Sequence, residues 1–126
     1  MPASYVIDKQ RRLVITTVTG AFILADALAH QESLCKDQDF GPSFSQLMDL
    51  TQVTEYALTE DDLHKLAQRR VFSEESRRAI VVEGDLGYGL SRMFGMLREN
   101  AGELGIRIFR NRDEALDWVL PKKTSA

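Results

Sequence analysis

Residues 79–101 read AIVVEGDLGYGLSRMFGMLRENA, and two patterns meet within them. Ala79-Ile80-Val81-Val82 is apolar at every position. A strand with one wet face alternates, whereas one apolar throughout is covered on both faces, as inside a parallel sheet. After the turn Glu83-Gly84-Asp85, the residues Leu86, Leu90, Met93, Phe94, Leu97 and Ala101 recur at steps of three and four. That is the period of a helix lying on something along one side. A buried strand feeding an amphipathic helix predicts an α/β fold, with 79–82 central and the helix 86–101 laid over it.

Working outward, Tyr5-Val6-Ile7 and Leu13-Val14-Ile15-Thr16-Thr17-Val18-Thr19 are β-branched segments split by the charged turn Asp8 to Arg12, a hairpin pattern that Gly20 ends. From Phe22 to Cys35, the residues Leu24, Ala27, Leu28, Leu34 and Cys35 share one helical side. Gly41-Pro42 breaks the chain before a third strand, Phe44 to Leu50. Thr59 precedes Glu60, Asp61 and Asp62, the arrangement of a hydroxyl cap and first-turn acids at a helix N-terminus. The helix that follows should bury Leu63, Leu66, Ala67 and Val71, with Arg69 and Arg70 at its end. Ile106-Arg107-Ile108-Phe109 reads as a strand, and Asn111 to Glu114 as the capping box of a last helix packed through Ala115, Leu116 and Val119. The predicted order is ββαβαβαβα. It describes one α/β domain over 1–126, a mixed sheet with an antiparallel hairpin, parallel right-handed crossovers and helices covering the sheet. Pro2, Pro42 and Pro121 all fall at turns or ends.

Composition agrees: 126 residues, 44% hydrophobic and 28% charged, suit one domain with its own core. The longest apolar run, Ala21 to Ala25, has five residues, against the roughly 20 a membrane-spanning helix needs. The start, Met1-Pro2-Ala3-Ser4, has no signal-peptide pattern, and the lone Cys35 makes no internal bridge, so the expected location is cytoplasmic. Residues 1–63 carry 4 basic and 10 acidic side chains, residues 64–126 carry 12 and 9. No dominant basic stripe results, which argues against a nucleic-acid partner.

Candidate chemistry is sparse. Gly84, Gly87 and Gly89 lie between strand and helix, where backbone N–H groups hold anions, and Arg77, Arg78 and Arg92 could add guanidinium forks. The spacing is not G-x-G-x-x-G, and Asp85 opposes a phosphate, so turn and packing duty competes with this anion site. Gly89-Leu90-Ser91-Arg92-Met93 nearly matches a nucleophile elbow, but Met93 replaces the last glycine and Ser91 falls within the helix. His30 and His64 each follow a carboxylate by four residues, Asp26 and Glu60, and read as surface pairs. No metal-ligand spacing occurs, so no catalytic residue, metal or cofactor is expected. Cys35 reads as a buried packing residue. The cluster Arg69, Arg70, Arg77, Arg78 and Arg92 reads as exposed charge on solvated helix ends.

Gln46-Leu47-Met48-Asp49-Leu50-Thr51-Gln52-Val53-Thr54 resembles the third strand of STAS domains, the sulfate-transporter and anti-sigma-factor-antagonist family with the SpoIIAA-like fold. Ser76 to Val82 followed by Gly87-Tyr88-Gly89-Leu90-Ser91-Arg92-Met93-Phe94 is similar to a group of small bacterial STAS-like proteins, and the likeness spans about residues 4 to 120. It implies a regulatory, non-enzymatic module with a protein partner. STAS regulators carry a phosphorylated serine in Asp-Ser-Ser-Gly at the next helix. Here Tyr56 to Asp62 lacks that motif and only Thr59 could stand in for the serine. The corresponding partner surface is Thr51, Tyr56, Thr59, Glu60, Asp61 and Asp62, an acidic rim around an aromatic, although the acids also serve as caps. The fold likewise resembles CRAL-TRIO lipid-transfer domains, which implies a small apolar ligand as the alternative. A homodimer would make a second copy the partner.

Overall fold

The computed structural model describes residues 3–120, so Pro2 and Pro121 lie outside the described residues. The elements are β1 (Ala3–Asp8), β2 (Leu13–Ile23), α1 (Leu24–Lys36), β3 (Ser45–Ala57), α2 (Glu60–Ala67), β4 (Arg78–Val81), α3 (Asp85–Asn100), β5 (Ile106–Phe109) and α4 (Arg112–Val119). The order is ββαβαβαβα, as the pattern predicts. One sheet runs β1-β2-β3-β4-β5, antiparallel between β1 and β2 and parallel thereafter. α1, α2 and α3 pack on one face, as crossovers of a single hand that step in the same direction along the sheet require. Only α4, which follows the last strand, returns to cover the other.

Each face has its own core. Beneath the three helices lie Val18, Phe22, Leu50, Leu66, Ile80 and Val82, continued by Val14, Leu34 and Phe72. Under α4 lie Leu13, Leu47, Ala79 and Val81, closed by Ala115 and Val119. Ala79, Ile80, Val81 and Val82 are all buried, as their unbroken apolar run requires, yet β3 is the middle strand and β4 its neighbour. Arg78, expected on the surface, opens β4 and is buried.

Three other expectations are corrected. Gly20 does not end β2. It takes a positive φ of 71° beside a register irregularity, and the strand continues to Ile23 alongside β3, which continues to Ala57. Cys35 is exposed, because the buried side of α1 is set by Ala27 and Leu34. In α3 the period is right and the phase is turned by one residue, ~100°. Gly87, Ser91 and Arg98 face inward, Leu90, Met93, Phe94 and Leu97 are half-buried, and Leu86 is 62% exposed. Small Gly87 and Ser91 admit the helix close to the sheet, and Arg98 turns in because acceptors await it.

Candidate functional site

Between the sheet and α1, α2 and α3 lies a cavity of about 80 Å³, room for several waters or a small organic group. Phe22, Leu50, Leu63, Leu66 and Phe94 contribute to its apolar wall, while Thr16, His30, Gln31, Gln46 and Arg78 also line it. Gln46 and Thr16 stand on adjacent parallel strands, and Arg78 pairs across from Gln46 on β4, so the sheet register gathers these polar groups side by side.

A directed hydrogen-bond chain joins them. Arg78 Nε donates to Gln46 Oε1 at 3.2 Å, and Gln46 Nε2 donates to Thr16 Oγ1 at 3.0 Å. An arginine can only donate. The Gln46 amide is thereby oriented, and the Thr16 hydroxyl hydrogen-bonds His30 Nε2 at 3.0 Å. Burial, with the Arg78 charge behind it, lowers the His30 pKa to about 4. The surface pairing of His30 with Asp26 is thus replaced by an inward one, whereas His64 is exposed on α2.

Behind Arg78 sits Glu103, 2% exposed, which takes Arg78 Nη1 at 3.2 Å and Arg98 Nε at 2.8 Å. Arg98 Nη1 also donates to the Ala67 carbonyl at 2.5 Å, closing the end of α2 onto α3. The Arg78 guanidinium lies against the rings of Phe72 and Phe94, at 4.5 and 5.5 Å from their centres. Burial lowers the Arg78 pKa, against which Glu103 acts.

The residues expected to meet a partner are divided by the sheet. Thr51 donates its hydroxyl and amide to Asp49, at 2.6 and 2.9 Å, and Asp49 takes Arg112 Nη1 of α4 at 2.6 Å. Burial pushes the Asp49 carboxyl up, but Thr51 and Arg112 outweigh it and hold the pKa below the ordinary range. Tyr56 lies on the other face, half-buried against Phe22 at 6.5 Å between ring centres, and burial raises its pKa. Thr59 and Asp62 form the capping box of α2, each accepting from the other's amide at 3.1 and 3.0 Å. Glu60 and Asp61 are exposed beside it.

The candidate anion residues are likewise apart. Arg78 stands at the start of β4, whereas Gly87 and Gly89 lie beyond its end. Gly87 faces Tyr56, whose ring carbon Cζ would come within 2.9 Å of an added Cβ, so it is a packing glycine. Gly89 faces open space, Arg92 is exposed, and Arg77 rests on Trp118 with a bond to its carbonyl at 2.9 Å. Ser91 lines the cavity from within α3. Among the described residues no cluster of His, Cys, Asp or Glu could hold a metal, and no helix is long and apolar enough to cross a membrane. Thr16, Gln31, Gln46 and Glu103 were not singled out by sequence patterns. A glutamine beside the apolar pair Leu47-Met48 was the one available signal.

No protein-family profile matches the chain, and no curated protein matches it in sequence. Solved structures do. An uncharacterised DUF3478-family protein with a SpoIIAA-like fold from Shewanella loihica PV-4 is 21% identical, with a TM-score of 0.58 and 93% of each chain covered. An anti-sigma factor antagonist from Mycobacterium paratuberculosis is 15% identical, with a TM-score of 0.61 and the same coverage. The fold expected from the sequence is therefore the fold observed: this chain is a mixed α/β domain of the SpoIIAA-like fold.

Proposed function

We propose that the domain is a non-catalytic, cytosolic regulatory module that acts by binding a protein partner at the end of β3 and the start of α2. The observation that carries this reading is the length of β3. Its pairing with β4 stops at Asp49, while its pairing with β2 continues to Ala57. Past Leu50 the outer edge of β3 therefore has no strand beside it among the described residues. Unpaired strand edges accept added strands. Gln52, Thr54 and Glu55 are exposed along this ribbon, which leads directly to Glu60 and Asp61. A like-folded anti-sigma factor antagonist supports a regulatory role. Thr51 and Tyr56 support the ribbon from its two faces, and Thr59 and Asp62 act as caps. The test is affinity capture on the full chain against the double variant Glu60→Lys/Asp61→Lys, which reverses charge without touching the capping box. Loss of a specific partner with the melting temperature kept supports the surface; unchanged capture removes it.

The cavity favours a second reading, a small apolar ligand held between helices and sheet. Its apolar walls with a few polar groups at one end support such a site, and its 80 Å³ limits the ligand to a small one.

A further inference from the structure

Resting on that second reading, we infer that the cavity binds a small amphipathic carboxylic acid, its carboxylate on Arg78 and its apolar body among Phe22, Leu50, Leu63 and Leu66. Among the described residues, Arg78 is the one formally charged side chain lining the cavity. Its Nε and Nη1 are engaged by Gln46 and Glu103, and Nη2 has no hydrogen-bond partner among the described residues. The buried group behind it is out of balance: the two guanidiniums of Arg78 and Arg98 face the single carboxylate of Glu103, all three side chains 10% exposed or less. A buried charge without a counterion is costly, and a ligand monoanion supplies the missing one.

A second group points the same way. Gln31 Oε1 is buried without a partner, and Gln31 lines the same cavity from α1. The NH₂ of the same amide makes no hydrogen bond among the described residues and can donate to an acceptor in the cavity. A neutral hydrocarbon would leave both Nη2 and Gln31 unsatisfied, and an amine would meet Arg78 as a like charge. A dianion would bring one charge more than the imbalance needs. The two aromatic rings hold the guanidinium plane in place, so little side-chain freedom is lost when an acid docks.

The test compares three probes of one chain length short enough for the cavity, butanoate, butan-1-ol and butylamine, titrated calorimetrically into the full chain. Butanoate should bind about tenfold tighter than butanol, the ratio one charge-assisted hydrogen bond supplies, and butylamine more weakly than either. Arg78→Met should bring butanoate to the level of butanol. If that variant does not fold, Gln31→Leu, which leaves the Glu103 group intact, should narrow the gap about threefold. Butanol binding as tightly as butanoate would overturn the acid while leaving an apolar-ligand cavity standing. No binding by any probe would remove the cavity reading and the acid together. A butanoate preference untouched by whichever variants fold would place the acid elsewhere and refute its assignment to Arg78.

Discussion

Arg98 Nε donates to the Glu103 carboxylate at 2.8 Å with both side chains almost excluded from solvent, and the same carboxylate also receives Arg78. Removing one partner from such a group leaves the others charged and unmatched. Glu103→Gln should therefore cost about 3–5 kcal/mol. Chemical denaturation measures this, and a loss below about 1 kcal/mol would show the group to be solvated.

Two glycines of α3 should respond with opposite signs. At Gly87 an added Cβ meets the Tyr56 ring, so Gly87→Ala should destabilise by about 1–3 kcal/mol through overpacking. A Tyr56→Leu background should relieve part of that loss. At Gly89 nothing stands within 4 Å, and Gly89→Ala should stabilise the helix by about 0.5–1 kcal/mol. Thermal melts of the three variants and the double variant check the pairing; destabilisation of equal size at both glycines would contradict it.

Acidification should act in two windows. The folded His30 pKa, about 4, lies below the ordinary 6.5, so the unfolded chain binds the proton first. Stability is full above pH 6.5 and falls as the pH drops toward 4, by an amount on the order of 3 kcal/mol at most. Below that, Asp49, whose folded pKa is also lowered, loses its bonds to Thr51 and Arg112 as it is protonated, and stability falls again. Replacing His30 with Gln should flatten the upper window and leave the lower one. An unchanged slope between pH 6.5 and 4 would show that His30 is not the group responsible.

The elements were legible where one local rule sufficed. The apolar run of β4, the Thr59 hydroxyl cap and the Asn111 cap announce themselves in the chain, and each is present, although the full capping box expected at Asn111 forms instead at Thr59, with Asp62. The ribbon was not legible, because Gly20 and the polar stretch Thr51 to Thr54 look like a strand's end unless their pairing is known. The cavity's polar end was hidden for the same reason. Thr16, Gln46 and Arg78 are 62 residues apart at the extremes and meet only through the register of three strands. Hydrophobic periodicity set the turn of α3 one residue off, since it cannot anticipate that Arg98 finds Glu103 and the Ala67 carbonyl inside.

The proposed partner surface is tested most directly by amide hydrogen exchange on the chain alone and in complex with a captured partner. Outer-edge amides within Gln52–Ala57, together with those of the first turn of α2, should exchange more slowly in the complex, because an added strand supplies the acceptors they lack. Protection confined to β1 or α4, with the ribbon unchanged, would contradict the account and move the surface to the β1 edge or the other face of the sheet.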